Sequence, residues 1–201
     1  MKLLLFTDTH CNSTAERKII EKVKREKPEI MLCAGDFSIF MRNAEEFLVK
    51  MNKLNIPIYV IHGNHEDEEV IEKICKKLKN VEFIHNRIIK YKNVLIMGYG
   101  GGGFAEHDED FNVTAKEFEK IINTFKDSTK IIMMHQPPHK SGIDFIYGQH
   151  AGCKTTKKFI QKHKIHFAIA GHLHENSGLE FEIKGTKYIN PGPLGIIIEI
   201  N

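Results

Sequence analysis

Five short strings of this chain hold the side chains with which chemistry could be done: Asp8-Thr9-His10, Gly35-Asp36, Gly63-Asn64-His65, His135, and Gly171-His172-Leu173-His174. Carboxylate, imidazole and amide donors without thiolates form a mixed oxygen and nitrogen set suited to manganese, iron, nickel, cobalt or zinc. There are too many donors for one ion. They suit two divalent ions about 3.5–4 Å apart, an arrangement that drives in-line displacement at phosphorus. In Asp8-x-His10 and His172-x-His174, alternation along an extended chain would turn both members of each pair to one side.

Each string stands at the end of an apolar run. Strands are expected over Lys2–Phe6, Glu29–Ala34, Pro57–Ile61, Lys130–Met134 and Ile165–Ala170, and strand ends are where an open α/β sheet presents its chemistry. Between them lie helical patterns. Ser13 and Glu16 have capping-box spacing for a helix to about Lys27, and Ala44, Phe47, Leu48, Met51 and Leu54 share a helix face. Val70, Ile71, Ile74, Cys75 and Leu78 share another, and Thr114 with Glu117 offers a second capping box. Thr155 and Thr156 are caps for a last helix. The β-α-β-α-β-α order at the front of the chain predicts a parallel, helix-covered sheet. Val81–Ile84, Arg87–Tyr91 and Val94–Gly98 predict an antiparallel portion, and the segment from Leu179 to Ile200 predicts an antiparallel meander. Nothing in the composition divides residues 1–201, so a single domain is expected.

The 201 residues include 29 basic and 26 acidic side chains, a formal charge of +3 that does not argue for a nucleic-acid partner. No run is long enough to span a membrane, and Leu3-Leu4-Leu5-Phe6 is too short for a secretion signal. The expected compartment is the cytoplasm. Cys11, Cys33, Cys75 and Cys153 have neither zinc-knuckle nor disulfide spacing.

Taken together, the five strings resemble the motifs of the calcineurin-like metallophosphoesterase superfamily, and its small prokaryotic members in overall length. That resemblance implies an α/β fold, a four-layer αββα sandwich with mixed sheets. It further implies that Asp8, His10, Asp36 and His174 hold one metal while Asp36, Asn64, His135 and His172 hold the other. Asp36 would bridge two divalent ions, with Mn²⁺ the first expectation and Ni²⁺, Fe²⁺, Co²⁺ or Zn²⁺ the alternatives. The implied reaction is hydrolysis of a small phosphate ester by a hydroxide shared between the ions, with His65 stabilising the transferring phosphate or protonating the departing oxygen. A phosphodiester is the favoured substrate. A phosphomonoester, or a non-catalytic protein-binding scaffold of the same fold, is the alternative.

The chain departs from the protein serine/threonine phosphatases of that superfamily. Glu66 completes their Gly-Asn-His-Glu string, but they also carry Asp-Arg shortly after Gly-Asp, and the segment here, Asp36-Phe37-Ser38-Ile39-Phe40-Met41-Arg42, lacks it. Off the motifs, His150 is a candidate phosphate contact and His62 a candidate support for a metal ligand. His85, His107, His163 and His166 are assigned to the surface or to packing. Gly100–Gly103 lacks the Gly-Lys-Ser/Thr ending of a nucleotide loop and is expected to be a mobile segment at the site's edge or on the surface.

Overall fold

A computed structural model describes residues 1–200. β1 (Lys2–Phe6) leads to α1 (Ser13–Glu26), β2 (Ile30–Cys33) to α2 (Ala44–Asn52), and β3 (Ile58–Val60) to α3 (Glu68–Cys75). β4 (Val81–Phe83), β5 (Arg87–Tyr91) and β6 (Val94–Tyr99) follow, then α4 (Glu109–Thr124) and β7 (Thr129–Met134). The short hairpin of β8 (Phe145–Ile146) and β9 (Gln149–His150) precedes α5 (Lys154–Lys162) and β10 (Phe167–Ile169). β11 (Glu180–Ile183), β12 (Thr186–Ile189) and β13 (Ile196–Glu199) come last.

Side-chain alternation along the strands creates the layers. In β1, Leu3 and Leu5 face the second sheet, where they meet Ile131, Met133 and Ile169, whereas Leu4 and Phe6 face Ile19 of α1 and Phe47 of α2. The second sheet alternates in the same way, and its other face packs Ile132, Met134 and Ala168 against Phe111 and Phe118 of α4 and Phe159 of α5. Three apolar cores thus separate four layers in the order helix, sheet, sheet, helix. The central strands are apolar on both faces because both faces are covered, whereas the edge strands β5 and β11 are polar and largely exposed.

The first sheet runs β13-β1-β2-β3-β4, and the second β11-β12-β10-β7-β6-β5. β1 to β4 are parallel, as predicted from the alternation. The second sheet is more parallel than the sequence suggests, for β12, β10, β7 and β6 all run together. Only its edge strands, β5 and β11, are antiparallel. The expected C-terminal meander also stops short. After Pro191 and Pro193, which have no N–H for a ladder, the chain changes sheets and β13 pairs antiparallel with β1.

Helix starts differ from the capping-box reading. α1 is capped by Asn12, whose side-chain oxygen accepts from the Thr14 and Ala15 amides at 3.0 Å each. Glu16 is buried and engages Lys50 instead of reaching back. α4 starts ahead of Thr114, where the Asp108 carboxylate accepts from the Phe111 amide at 2.8 Å. Thr114 lies inside the helix, and its hydroxyl donates to Asn86. α5 starts at Cys153 without a side-chain cap, and Thr155 accepts from the Asp108 amide. In α3, Val70 is exposed rather than inward.

Candidate active site

The C-terminal ends of β1, β2 and β3 in one sheet, and of β7 and β10 in the other, meet at one edge of the sandwich. Contacts between the sheets hold them there. His135, after β7, donates from Nδ1 to the Ala34 carbonyl after β2 at 2.8 Å. The His172 amide, after β10, donates to the Asp8 carboxylate after β1 at 3.1 Å. Turns in the left-handed region, not extended alternation, aim the side chains: φ is 53° at Asp8, 43° at His10, 50° at Asp36 and 69° at His172. Such a φ is uncommon for a residue with a Cβ and is held by surrounding structure. Two motif glycines have a steric reason. A Cβ on Gly63 would lie 2.0 Å from Asp36 Oδ1, and one on Gly171 would lie 2.5 Å from Asp8 Oδ2.

Three donor groups share this edge: Asp8, His10 and His174; His10, Asp36 and His65; Asp36, His135 and His172. His10 Nε2 and His174 Nε2 meet at 3.0 Å, and His174 Nε2 is 3.6 Å from Asp8 Oδ1. On the other side His135 Nε2 is 3.3 Å from Asp36 Oδ2. Asn64 Oδ1 lies 3.1 Å from His135 Nε2 and 2.9 Å from His172 Nδ1. Asp36 therefore stands between the two halves, with His10 and His65 at 3.9 and 4.0 Å from its Oδ2.

Supporting contacts fix the imidazoles. His10 Nδ1 donates to the Ser38 carbonyl and His135 Nδ1 to Ala34, which turns both Nε2 atoms into the cluster. Burial alone would raise the Asp36 carboxyl, but the His135 and His65 contacts outweigh it and hold Asp36 below the ordinary carboxylate range. Burial works against a charged His135 as well, yet its bond to Asp36 moves it above the ordinary histidine value. The Asp8 carboxylate raises His174, whereas burial and then the charge of His135 push His172 down to about 4.

The donor set fits divalent ions. Asp8 and Asp36 are both buried, and their charged partners among the described residues are histidines rather than lysine or arginine. His172 Nε2 is buried without a hydrogen-bond partner. Paired buried carboxylates facing several imidazole nitrogens form a site that a cation completes.

Glu66 is the part of the site that motif reading undervalued. Buried beneath the cluster, it accepts from the amides of Asp36 at 2.9 Å, Gly63 at 2.8 Å and Ser38 at 2.8 Å, and from the Ser38 hydroxyl at 2.7 Å. One carboxylate thus ties the turn after β2 to the turn after β3. Two exposed aromatic rings flank the donors: Phe40 lies 4.4 Å from the His65 ring and Phe104 lies 4.8 Å from the His172 ring. Phe37 is in the core against Phe47, and Tyr147 is exposed.

The structure does not join His150 to the metal-donor groups. Its Nδ1 lies 3.0 Å from the buried Asp144 carboxylate, on the hairpin before α5. His62 is turned away as well and packs against His85 and the backbone of Gly100. His85 is packed and accepts from the Gly100 amide, whereas His163 engages Glu119 and His166 accepts from the Lys130 amide. His107 is exposed.

Comparison with known proteins agrees with this arrangement. The calcineurin-like phosphoesterase family matches residues 1–176. A probable glycerophosphodiester phosphodiesterase, GpdQ of Arcobacter nitrofigilis, is 28% identical over 168 residues, 76% of this chain and 59% of that protein. The DNA double-strand break repair protein Mre11 of Methanococcus maripaludis is 28% identical over 133 residues, 58% of this chain and 35% of that protein. The chain thus spans from about a third to three-fifths of these relatives. TT1561 of Thermus thermophilus shares the fold with a TM-score of 0.75 at 14% identity, over 96% of this chain and 89% of that one. With the family matched across the strand ends that carry all five strings, and both sheets converging there, the chain belongs to the calcineurin-like phosphoesterase family.

Proposed function

We propose that this chain is a binuclear, metal-dependent phosphoesterase that hydrolyses phosphodiesters. The observation that carries this reading is the convergence of the donor groups on Asp36 from both sides. Asp8, His10, Asp36 and His174 would hold one divalent ion and Asp36, Asn64, His135 and His172 the other, with Mn²⁺ the first candidate. The chemistry such a pair supplies when bound is neutralisation of phosphoryl charge and ionisation of water near neutral pH. The name of the Arcobacter relative supports a diester substrate.

His65 has the tautomer its role requires. Its Nδ1 accepts from the Phe40 amide at 3.4 Å, so the neutral ring carries its proton on Nε2, which faces Asp36. That proton is placed to be donated to a phosphoryl oxygen or to the departing alkoxide. Glu66 and the Ser38 and Ala34 carbonyls hold the donors in place, so little reorganisation is needed when ions bind. Residues 1–201 act as a single domain in this reading. We keep His150 as a phosphate contact of secondary rank, supplied from the hairpin.

The test is hydrolysis of bis(p-nitrophenyl) phosphate beside p-nitrophenyl phosphate, with chelated protein and with protein resupplied with Mn²⁺. The expected result is ion-restored cleavage, with the diester preferred, that is lost in Asp36→Ala. A protein that binds the ions and cleaves neither compound would overturn the hydrolytic reading.

A further inference from the structure

Beside the Asp8 and His174 half of the site lies a cavity of about 460 Å³, a size ordinary for a small-molecule site. Its remaining wall is formed by Ser177, Gly178 and the run from Pro191 to Ile196, with Leu194 53% exposed at the surface. Among the described residues no lysine or arginine lines it, and its only charged groups are Asp8 and His174 at the end that opens on the candidate metal donors.

The wall is already built. Asn190, fully buried, donates from Nδ2 to the Leu173 carbonyl, and its own carbonyl accepts from the Gly178 amide at 2.8 Å. Its side-chain oxygen accepts from the Gly192 amide, and the Gly192 carbonyl accepts from Thr7 at the end of β1. One side of the cavity is thereby tied to the strap that follows His174 and the other to β1. Two prolines restrict the turn further.

We propose that this cavity receives an uncharged, largely apolar ester substituent of the substrate, making the chain selective for phosphate esters of longer apolar alcohols. The inference rests on the phosphoesterase reading given above. Ions held at Asp8, His174 and Asp36 would place a phosphoryl group beside this cavity, whose wall beyond that end is mostly apolar, and the ammonium that reaches it, Lys22, is already engaged by the Gly195 carbonyl. The cavity beyond Gly100–Gly102 does not compete for such a group. Its wall includes Glu68, Asp108, Glu109 and Asp110, which would repel an anionic ester. Leu194 is the specificity-determining residue, since it is apolar, half exposed and outside the hydrogen-bonded frame.

The test is calorimetric binding of methyl-, butyl- and hexylphosphonate to Mn²⁺-loaded protein, run beside turnover of methyl and hexyl p-nitrophenyl phosphate. Burial of a methylene group corresponds to roughly a fourfold gain in affinity, so partial burial of the butyl chain should tighten binding roughly thirtyfold over methyl. Leu194→Asn and Leu194→Ser should reduce that ratio to about threefold or less, with metal content and methylphosphonate affinity unchanged. Equal affinity for all three phosphonates, or a chain-length dependence that survives in both variants, would overturn the proposal. The two readings separate cleanly. Graded phosphonate binding without hydrolysis would keep the cavity's role and reject the hydrolase, whereas hydrolysis indifferent to chain length would do the opposite.

Discussion

His65 and Glu66 are neighbours in sequence with opposite duties. In the role proposed above His65 gives a proton from Nε2 and holds no ion, so His65→Asn should lower kcat by about 10²–10³-fold. The divalent ion content after loading, counted by elemental analysis, should not change; loss of an ion in this variant would make His65, which sits beside His10 and Asp36, a ligand. Glu66 faces inward and accepts four hydrogen bonds. Glu66→Gln puts an amide donor where donors already point, and should cost about 3 kcal/mol of stability, read from urea unfolding, together with part of the ion content. Ion binding should also depend on pH. His135 and His174 have pKa values raised above the ordinary histidine value, so below that range a proton must leave each ring before an ion can bind. Affinity should rise with pH through neutrality, and calorimetry in buffers of different ionisation enthalpy should register proton release; a pH-independent affinity without release would count against these two rings as ligands.

At the scale of elements, the apolar runs and their endings were legible because strands covered on both faces must be apolar throughout and must end at polar residues. The way the candidate metal donors are aimed was not legible. Left-handed φ at Asp8, His10, Asp36 and His172 follows from cross-sheet bonds and from Glu66, none of which a spacing rule contains. The helix starts were misread for a related reason. Ser13 and Thr114 have suitable neighbours three residues on, but Asn12 and Asp108 have the geometry, while Glu16 was drawn off by Lys50 and Thr114 by Asn86. β13 was misplaced because its apolar residues fit either sheet, and only the prolines before it mark the change. One prediction belongs here. Asn12→Ala removes the two bonds capping α1 and should lower stability by about 1 kcal/mol in urea unfolding, while Ser13→Ala should change it by a few tenths at most. Equal losses from the two variants would restore Ser13 as the cap.

Across the whole molecule, the two sheets are also joined at a seam that starts at His62, one residue before the Gly63-Asn64-His65 string. The Gly101 amide donates to the His62 carbonyl at 2.9 Å, the Gly100 amide to His85 Nδ1 at 2.8 Å, and the His62 and His85 rings meet at 4.6 Å. A Cβ on Gly100 would come within 2.5 Å of His62 Nδ1, so this part of the glycine run is a packing requirement. Burial pushes His62 down to about 3, helped by the charges of His85 and His135, and pushes His85 down to about 4. Both rings are neutral in the folded chain at pH 5, whereas in the unfolded chain, near the ordinary 6.5, both are largely protonated. The unfolded state therefore binds more protons between those values, and stability must rise with pH across that window and fall as the solution is acidified. Each ring contributes up to about 1.4 kcal/mol per pH unit to that slope. His62→Phe keeps a ring in the seam and removes one titrating group without stranding a partner, since His62 Nδ1 has none. Urea unfolding of ion-free protein from pH 7 to 4.5 should give a curve for this variant that is shallower than the parent's by about 1.4 kcal/mol per pH unit below pH 5.5. The other histidines cancel in that difference, so parallel curves would mean that His62 does not titrate with unfolding and that the seam is open to water.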